Sequence, residues 1–163
     1  MNKKTIYLAL AIAMMTIQAN AQGLKDVLGK SFLVGTALNV SQTSGYNSLV
    51  TATIVNHFNC IVAENCMKPE SMQPTEGTFK WRKADRFVKF GEDHGMTIIG
   101  HVLVWHSQTP DWFFKDAEGN CASRELLTER MRTHIHTVVG HYKGRIKGWD
   151  VVNEAIEDDG SYR

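Results

Sequence analysis

The chain has 163 residues, a formal net charge of +1 and 43 % hydrophobic residues. A balance this close to neutral, with no Lys/Arg-rich patch interleaved with aromatics, excludes the electrostatic footprint of a nucleic-acid-binding protein. No repeat, low-complexity segment or linker divides the chain, so a single domain large enough to bury a core is expected.

The first element is a targeting segment. Lys3 and Lys4 precede an apolar run from Ile6 to Ile17, and Ala19-Asn20-Ala21 follows as a small-x-small cleavage signature. This is the layout of a secretory signal peptide, and the run is too short for a membrane span. Residues 1–21 are therefore expected to be removed between Ala21 and Gln22, leaving 22–163 as a secreted or periplasmic protein with no membrane association.

The rest alternates between strand and helix patterns. "FLVGTALNV" (32–40) reads as a strand, and "NSLVTATIVNHF" (47–58) as a helix with Val50, Ile54 and Phe58 on one face. "CIVAENC" (60–66) is a second strand. "KADRFVKFGEDHG" (83–95) is a helix with Ala84, Phe87, Val88 and Gly91 on one face and a glycine stop at Gly95. "TIIGHVLVWH" (97–106) is a third strand. A long helix from about Ser123 to Tyr142 carries Leu127, Met131, Ile135, Val138 and Tyr142 at helical spacing. "IKGWDVVNEA" (146–155) is a fourth strand.

The strands are apolar on both faces, the pattern of parallel strands covered by helices. This predicts an α/β fold of successive β/α units, in which polar chemistry gathers beyond the C-terminal ends of the strands. The polar residues stand there: Asn39 after the first strand, Glu64 and Asn65 after the second, Trp105 to Gln108 after the third, Asn153 and Glu154 after the fourth. Cys60, Cys66 and Cys121 make an odd count, and their spacing fits no zinc site. They read as small buried hydrophobes in preference to a Cys60–Cys66 bridge.

Three clusters could carry chemistry. In "HVLVWHSQ", strand parity puts His101 with Trp105 and turns His106 to the opposite face, which argues against a shared metal ion. His101, Trp105 and Gln108 form an aromatic platform with hydrogen-bonding groups, suited to a sugar; a core tryptophan with a satisfied histidine is the plainer alternative. "ENCMK" places Glu64, Asn65 and Lys68 together, a set able to bind several hydroxyls but also an ordinary solvated loop. "WDVVNEA" is the sharpest. A glutamate at the end of a buried strand risks desolvation, which favours the protonated carboxyl that a general acid needs. A capping or salt-bridged glutamate is the alternative.

Four blocks, "VGTALN", "AENCMKPESMQPTEGTFKW", "GHVLVWHSQTPDWF" and "HYKGRIKGWDVVNEAIEDDGSYR", run in order from Phe32 to Arg163. In them the chain resembles the N-terminal half of a family 10 glycoside hydrolase, the endo-1,4-β-xylanases. The resemblance implies a (β/α)8 barrel of the TIM type, of which residues 22–163 supply the first four β/α units. It implies retaining hydrolysis of β-1,4-xylosidic bonds in xylan or xylo-oligosaccharides, with no metal or other cofactor. It makes Glu154 the acid/base and Asn153 the residue that holds the reacting sugar's 2-hydroxyl and the nucleophile. Glu64, Asn65, Lys68, His101, Trp105 and Gln108 become ligands of the xylose units on the non-reducing side of the cut. It also implies a cis peptide bond between His101 and Val102.

A retaining mechanism needs a second carboxylate, which this family carries on a later strand. Glu157, Asp158 and Asp159 stand too near Glu154 in sequence to replace it. The chain is thus expected to be half of a catalytic domain: a truncated product, one part of a split barrel completed by a C-terminal half, or a free binding protein. Taken alone it should be inactive and poorly soluble, because an open half-sheet exposes an apolar edge. A different Asn-Glu barrel glycosidase, a cellulase or β-mannanase, and a non-catalytic carbohydrate-binding half-barrel are the competing functions.

Overall fold

The computed structural model describes residues 22–163. The signal-peptide assignment to residues 1–21 lies outside the described residues. The elements in chain order are α1 (Leu24–Leu28), β1 (Gly35–Leu38), a 3-10 turn (Gln42–Ser44), α2 (Ser48–His57), β2 (Cys60–Ala63), α3 (Pro69–Met72), α4 (Arg82–Asp93), β3 (Thr97–Trp105), a second 3-10 turn (Asp111–Phe113), α5 (Arg124–His141) and β4 (Gly148–Asn153). The four strands form one parallel sheet in the order β1-β2-β3-β4. Successive β/α steps with neighbouring strands adjacent in space are what the alternating pattern predicts.

The helices start where their caps dictate. Asn47 opens α2 by accepting hydrogen bonds from the backbone N–H groups of Leu49 and Val50, and Ser123 opens α5 by accepting from Leu126. At the far end of α4 the chain turns at Gly95, whose φ of +61° costs glycine nothing.

The core lies between the sheet and its helices. Amphipathic α4 buries Ala84, Phe87, Val88, Phe90 and Gly91, while β2 and β3 contribute Ile61, Ala63, Ile98, Val102 and Leu103. Gly91 is where helix and sheet come closest: a Cβ there would lie 2.6 Å from Ile98 Cγ1. Each of the large apolar side chains so enclosed contributes about 1.5–3 kcal/mol relative to exposure. Val138 and Tyr142 close the core from α5.

Two expectations change, and the open sheet expected of the chain is seen at β4. The first strand is only Gly35–Leu38: Phe32 and Leu33 are 59 % and 52 % exposed, while Val34 is half-buried and its carbonyl accepts from the N–H groups of Asn59 and Cys60. The three thiols are all free, but only Cys66 is buried; Cys60 is half-buried and Cys121 exposed. β4 runs Gly148–Asn153 and is not covered on both faces: Val151 and Val152 are 54 % and 56 % exposed. It is held by its ladder to β3 and by Trp149, whose ring crosses Gly100 of β3 so closely that a Cβ there would meet Cε3 at 2.2 Å.

Candidate active site

The polar residues after β2, β3 and β4 meet on one rim. The loop after β2 begins with Glu64 and Asn65, whose Nδ2 donates to Glu64 Oε1 at 3.3 Å. Lys68 is the N-cap of α3; Pro69 sits in the helix's first turn, where no donor is needed. The ammonium of Lys68 is drawn inward. It donates to Asn65 Oδ1 at 2.8 Å and to Gln108 Oε1, and stands 4.7 Å from the centre of a Trp105 ring. Only 8 % of Lys68 is exposed, and its partners are neutral acceptors and an aromatic face.

Gln108 reaches this position through an unusual backbone. Its φ is +47°, rare for a side-chain-bearing residue, and its carbonyl accepts from Glu70 N–H at 2.9 Å. The loops after β2 and β3 are thereby tied together at both backbone and side chain. The peptide bond between His101 and Val102 is cis, as the resemblance implies. His101 Nδ1 lies 2.9 Å from Asp150 Oδ2, across the β3–β4 register, and its ring centroid is 6.4 Å from that of Trp105.

Glu154 follows β4 with φ of +52°. A residue with a Cβ pays about 1–2 kcal/mol for such a backbone. The turn sets its carboxylate against β3, where Trp105 Nε1 donates to Oε2 at 2.9 Å. Asn153, the residue before it, pairs with Trp105 in the sheet register. The Glu154 side chain is 50 % exposed, so the desolvation expected of a buried strand end is not in place within these residues.

Residues Glu64, Asn65, Lys68, Gln108, Trp105 and Glu154 therefore form one contiguous polar strip with an indole at its middle, and His101 and Asn153 flank it. Trp105 belongs to both halves: its face receives Lys68 and its N–H holds Glu154. Such a strip can line up hydroxyl groups along an extended chain and present a carboxylate at one end.

Sequence reasoning missed three neighbours. His106 is not turned away: its Nε2 lies 3.7 Å from Glu154 Oε2. β3 ends at Trp105, so the two-residue alternation that assigned His106 to the far face no longer applies there. Asp150 becomes readable as the partner of His101 only from the β3–β4 register, which sets the two residues opposite each other. Arg163 donates to His106 Nε2 from Nη1 at 2.9 Å, a contact made by a hairpin with no strand pattern.

Behind the strip stands a buried support. His134 of α5, 1 % exposed, has Nδ1 2.8 Å from Gln73 Oε1, and Gln73 O accepts from Trp112 Nε1 at 3.1 Å. Burial pushes the His134 imidazole down to about 4, and its Nε2 has no hydrogen-bond partner. Arg130 clamps Glu76 through Nε and Nη2 at 2.7 and 2.9 Å. These contacts fasten the segment after β2 to α5, and with it the placement of Lys68.

The family profile that matches residues 23–163 is that of glycosyl hydrolase family 10. An endo-1,4-β-xylanase A of Xylanibacter ruminicola is 52 % identical over 99 % of this chain and 44 % of its own length. An endo-1,4-β-xylanase A of Thermotoga maritima is 50 % identical over 82 % of this chain and 13 % of its own, and an exoglucanase of Acetivibrio thermocellus 45 % identical over 91 % and 14 %. Among solved structures, a family 10 protein from Paenibacillus barcinonensis superposes with a TM-score of 0.84 at 44 % identity, over 88 % of this chain and 41 % of that one. The chain spans less than half the length of the relatives it matches.

Proposed function

This chain belongs to glycosyl hydrolase family 10, and we propose that it carries the acid/base side of an endo-1,4-β-xylanase site. The observation that supports this most is the bond from Trp105 Nε1 to Glu154 Oε2 at 2.9 Å, which joins a carboxyl group to a sugar-sized polar strip. Glu154 protonates the departing glycosidic oxygen and then takes a proton from the attacking water. Asn153 holds the 2-hydroxyl of the reacting xylose. Glu64, Asn65, Lys68, His101, Trp105 and Gln108 bind the sugars on the non-reducing side. The nucleophile is a second carboxylate outside residues 22–163, held about 5–5.5 Å from Glu154 in the retaining geometry. Residues 1–21 act as a cleaved export signal, supported by their basic start and apolar run.

The test uses a protein in which the barrel is complete. Glu154→Ala is expected to lower xylan hydrolysis roughly 10²–10⁴-fold, the usual contribution of a general acid. A nitrophenyl xyloside, whose leaving group needs little protonation, should lose far less, and azide should restore part of the turnover. Equal losses on both substrates would remove Glu154 from the acid/base role. The isolated chain should bind xylohexaose, seen through Trp105 fluorescence, without releasing reducing ends. A β-1,4-glucan is the second substrate reading, supported by the 45 % identity to an exoglucanase; comparing aryl xylobiosides with aryl cellobiosides decides between them.

A further inference from the structure

Two side chains lie near Glu154 Oε2 that carry ring nitrogens able to donate. Trp105 Nε1 is at 2.9 Å and makes a hydrogen bond; His106 Nε2 is at 3.7 Å and does not. The difference traces to the hairpin that follows Glu154.

This hairpin closes on itself. Ile156 and Tyr162 form an antiparallel bridge, Glu157 N–H donates to Ser161 O at 2.8 Å, and Arg163 N–H donates to Ala155 O at 3.0 Å. Gly160, with φ of +86°, makes the reversal. Arg163 is thereby returned to the end of β3. Its Nη1 stands 2.9 Å from His106 Nε2, and its Nη2 2.8 Å from Glu157 Oε2.

A guanidinium has donors only and keeps its proton in proteins. The 2.9 Å contact therefore requires His106 Nε2 to accept, which makes the ring neutral with its proton on Nδ1. A nitrogen whose lone pair faces Arg163 has no hydrogen to offer Glu154. We infer that Arg163 is a positioning residue: it fixes His106 as the neutral Nδ1–H tautomer and so withholds it from Glu154. Among the described residues Trp105 is left as the donor to that carboxyl group. The inference rests on Glu154 being the acid/base. A second donor would favour the ionised carboxylate, the wrong form for protonating a leaving oxygen. Glu157 balances the charge of Arg163 on its other nitrogen, so the guanidinium orients the histidine while paired itself.

The tautomer can be read directly. In the ¹⁵N-labelled chain at pH 7.5, long-range ¹H–¹⁵N correlation of the imidazole rings should show His106 protonated on Nδ1 and bare on Nε2, with the resonance assigned by its loss in His106→Gln. Arg163→Met should switch His106 to the Nε2-protonated form and shift the Trp105 indole N–H. Arg163 sits on an exposed hairpin away from the core, and the buried His134 resonances report in the same spectrum that the fold persists. Arg163→Ala repeats the measurement on a second variant. A wild-type His106 protonated on Nε2 or on both nitrogens, or an unchanged His106 pattern in folded Arg163→Met and Arg163→Ala, overturns the inference. No hydrolysis enters the readout, so a failure of the xylanase reading leaves a distinct result.

Discussion

The sheet has two unlike ends. β2 and β3 present Ile61, Ala63, Ile98, Val102 and Leu103 to the core, each at most 3 % exposed. β4 has no buried residue, and Val151 and Val152 are more than half exposed. The candidate site straddles this divide. Its polar strip is anchored in packed structure through Lys68, Gln108 and the His134 support. Its carboxylate stands on the uncovered strand, attached through Trp105 and the Trp149–Gly100 contact. Positioning of the two halves thus depends on different forces: apolar burial on one side, a few directed contacts on the other.

That contrast can be broken first by mutation in the packed part. Phe87→Ala should cost about 3–5 kcal/mol, the range for emptying a buried aromatic site, whereas Val151→Thr should fall within about 0.5 kcal/mol, as for an exposed position. Denaturant titration of both variants checks this, and similar costs would show that β4 is packed after all.

Acid sharpens the contrast next. The imidazole of His134 is pushed down to about 4 from an ordinary 6.5, so the unfolded chain binds its proton more readily than the folded chain. The stability that this group allows is fully present above pH 6.5 and is lost as pH falls toward 4, by up to about 3 kcal/mol. Melting temperature should therefore decline across that window, and His134→Phe should flatten the decline. A parallel decline in the variant would place the acid sensitivity elsewhere.

Gly100 tests the attachment of β4 itself. Gly100→Ala places a methyl group against Trp149, where a Cβ would meet Cε3 at 2.2 Å, and should cost about 1–3 kcal/mol by overpacking. Amide hydrogen exchange should rise in residues 148–153 while β2 stays protected; uniform change through the sheet would contradict the division. The smallest effect is at Glu154. With φ of +52°, Glu154→Gly should be more stable than Glu154→Ala by about 1 kcal/mol, read from thermal melts of the two variants.

Much of this was legible in the chain. The spacing of Leu127, Met131, Ile135, Val138 and Tyr142 located α5 to within a residue at each end, because a long stripe outweighs local propensity. Residues at strand ends were assigned to one rim because parallel β/α order leaves few other arrangements. What failed were inferences requiring tertiary neighbours. His106 was given to the wrong face because the strand stops one residue earlier. His134 lay unnoticed in an apolar stripe, since its burial needs Gln73 from a distant loop. The exposure of β4 agrees with the open half-sheet expected of the chain; its own sequence does not show it, since Val151 and Val152 read like any covered pair.

The order β1-β2-β3-β4 bears on how the molecule comes into being. Each strand pairs with the one made just before it, so every ladder can close as soon as its second strand has left the ribosome. Within this four-stranded sheet each pairing joins strands that are consecutive in the chain. β4 is the last of these four to arrive, and it finds Gly100 already held in β3 as the seat for Trp149. Growth from the N-terminus, with domains folding as they emerge, would assemble the polar strip around Lys68 and Gln108 before Glu154 joins it.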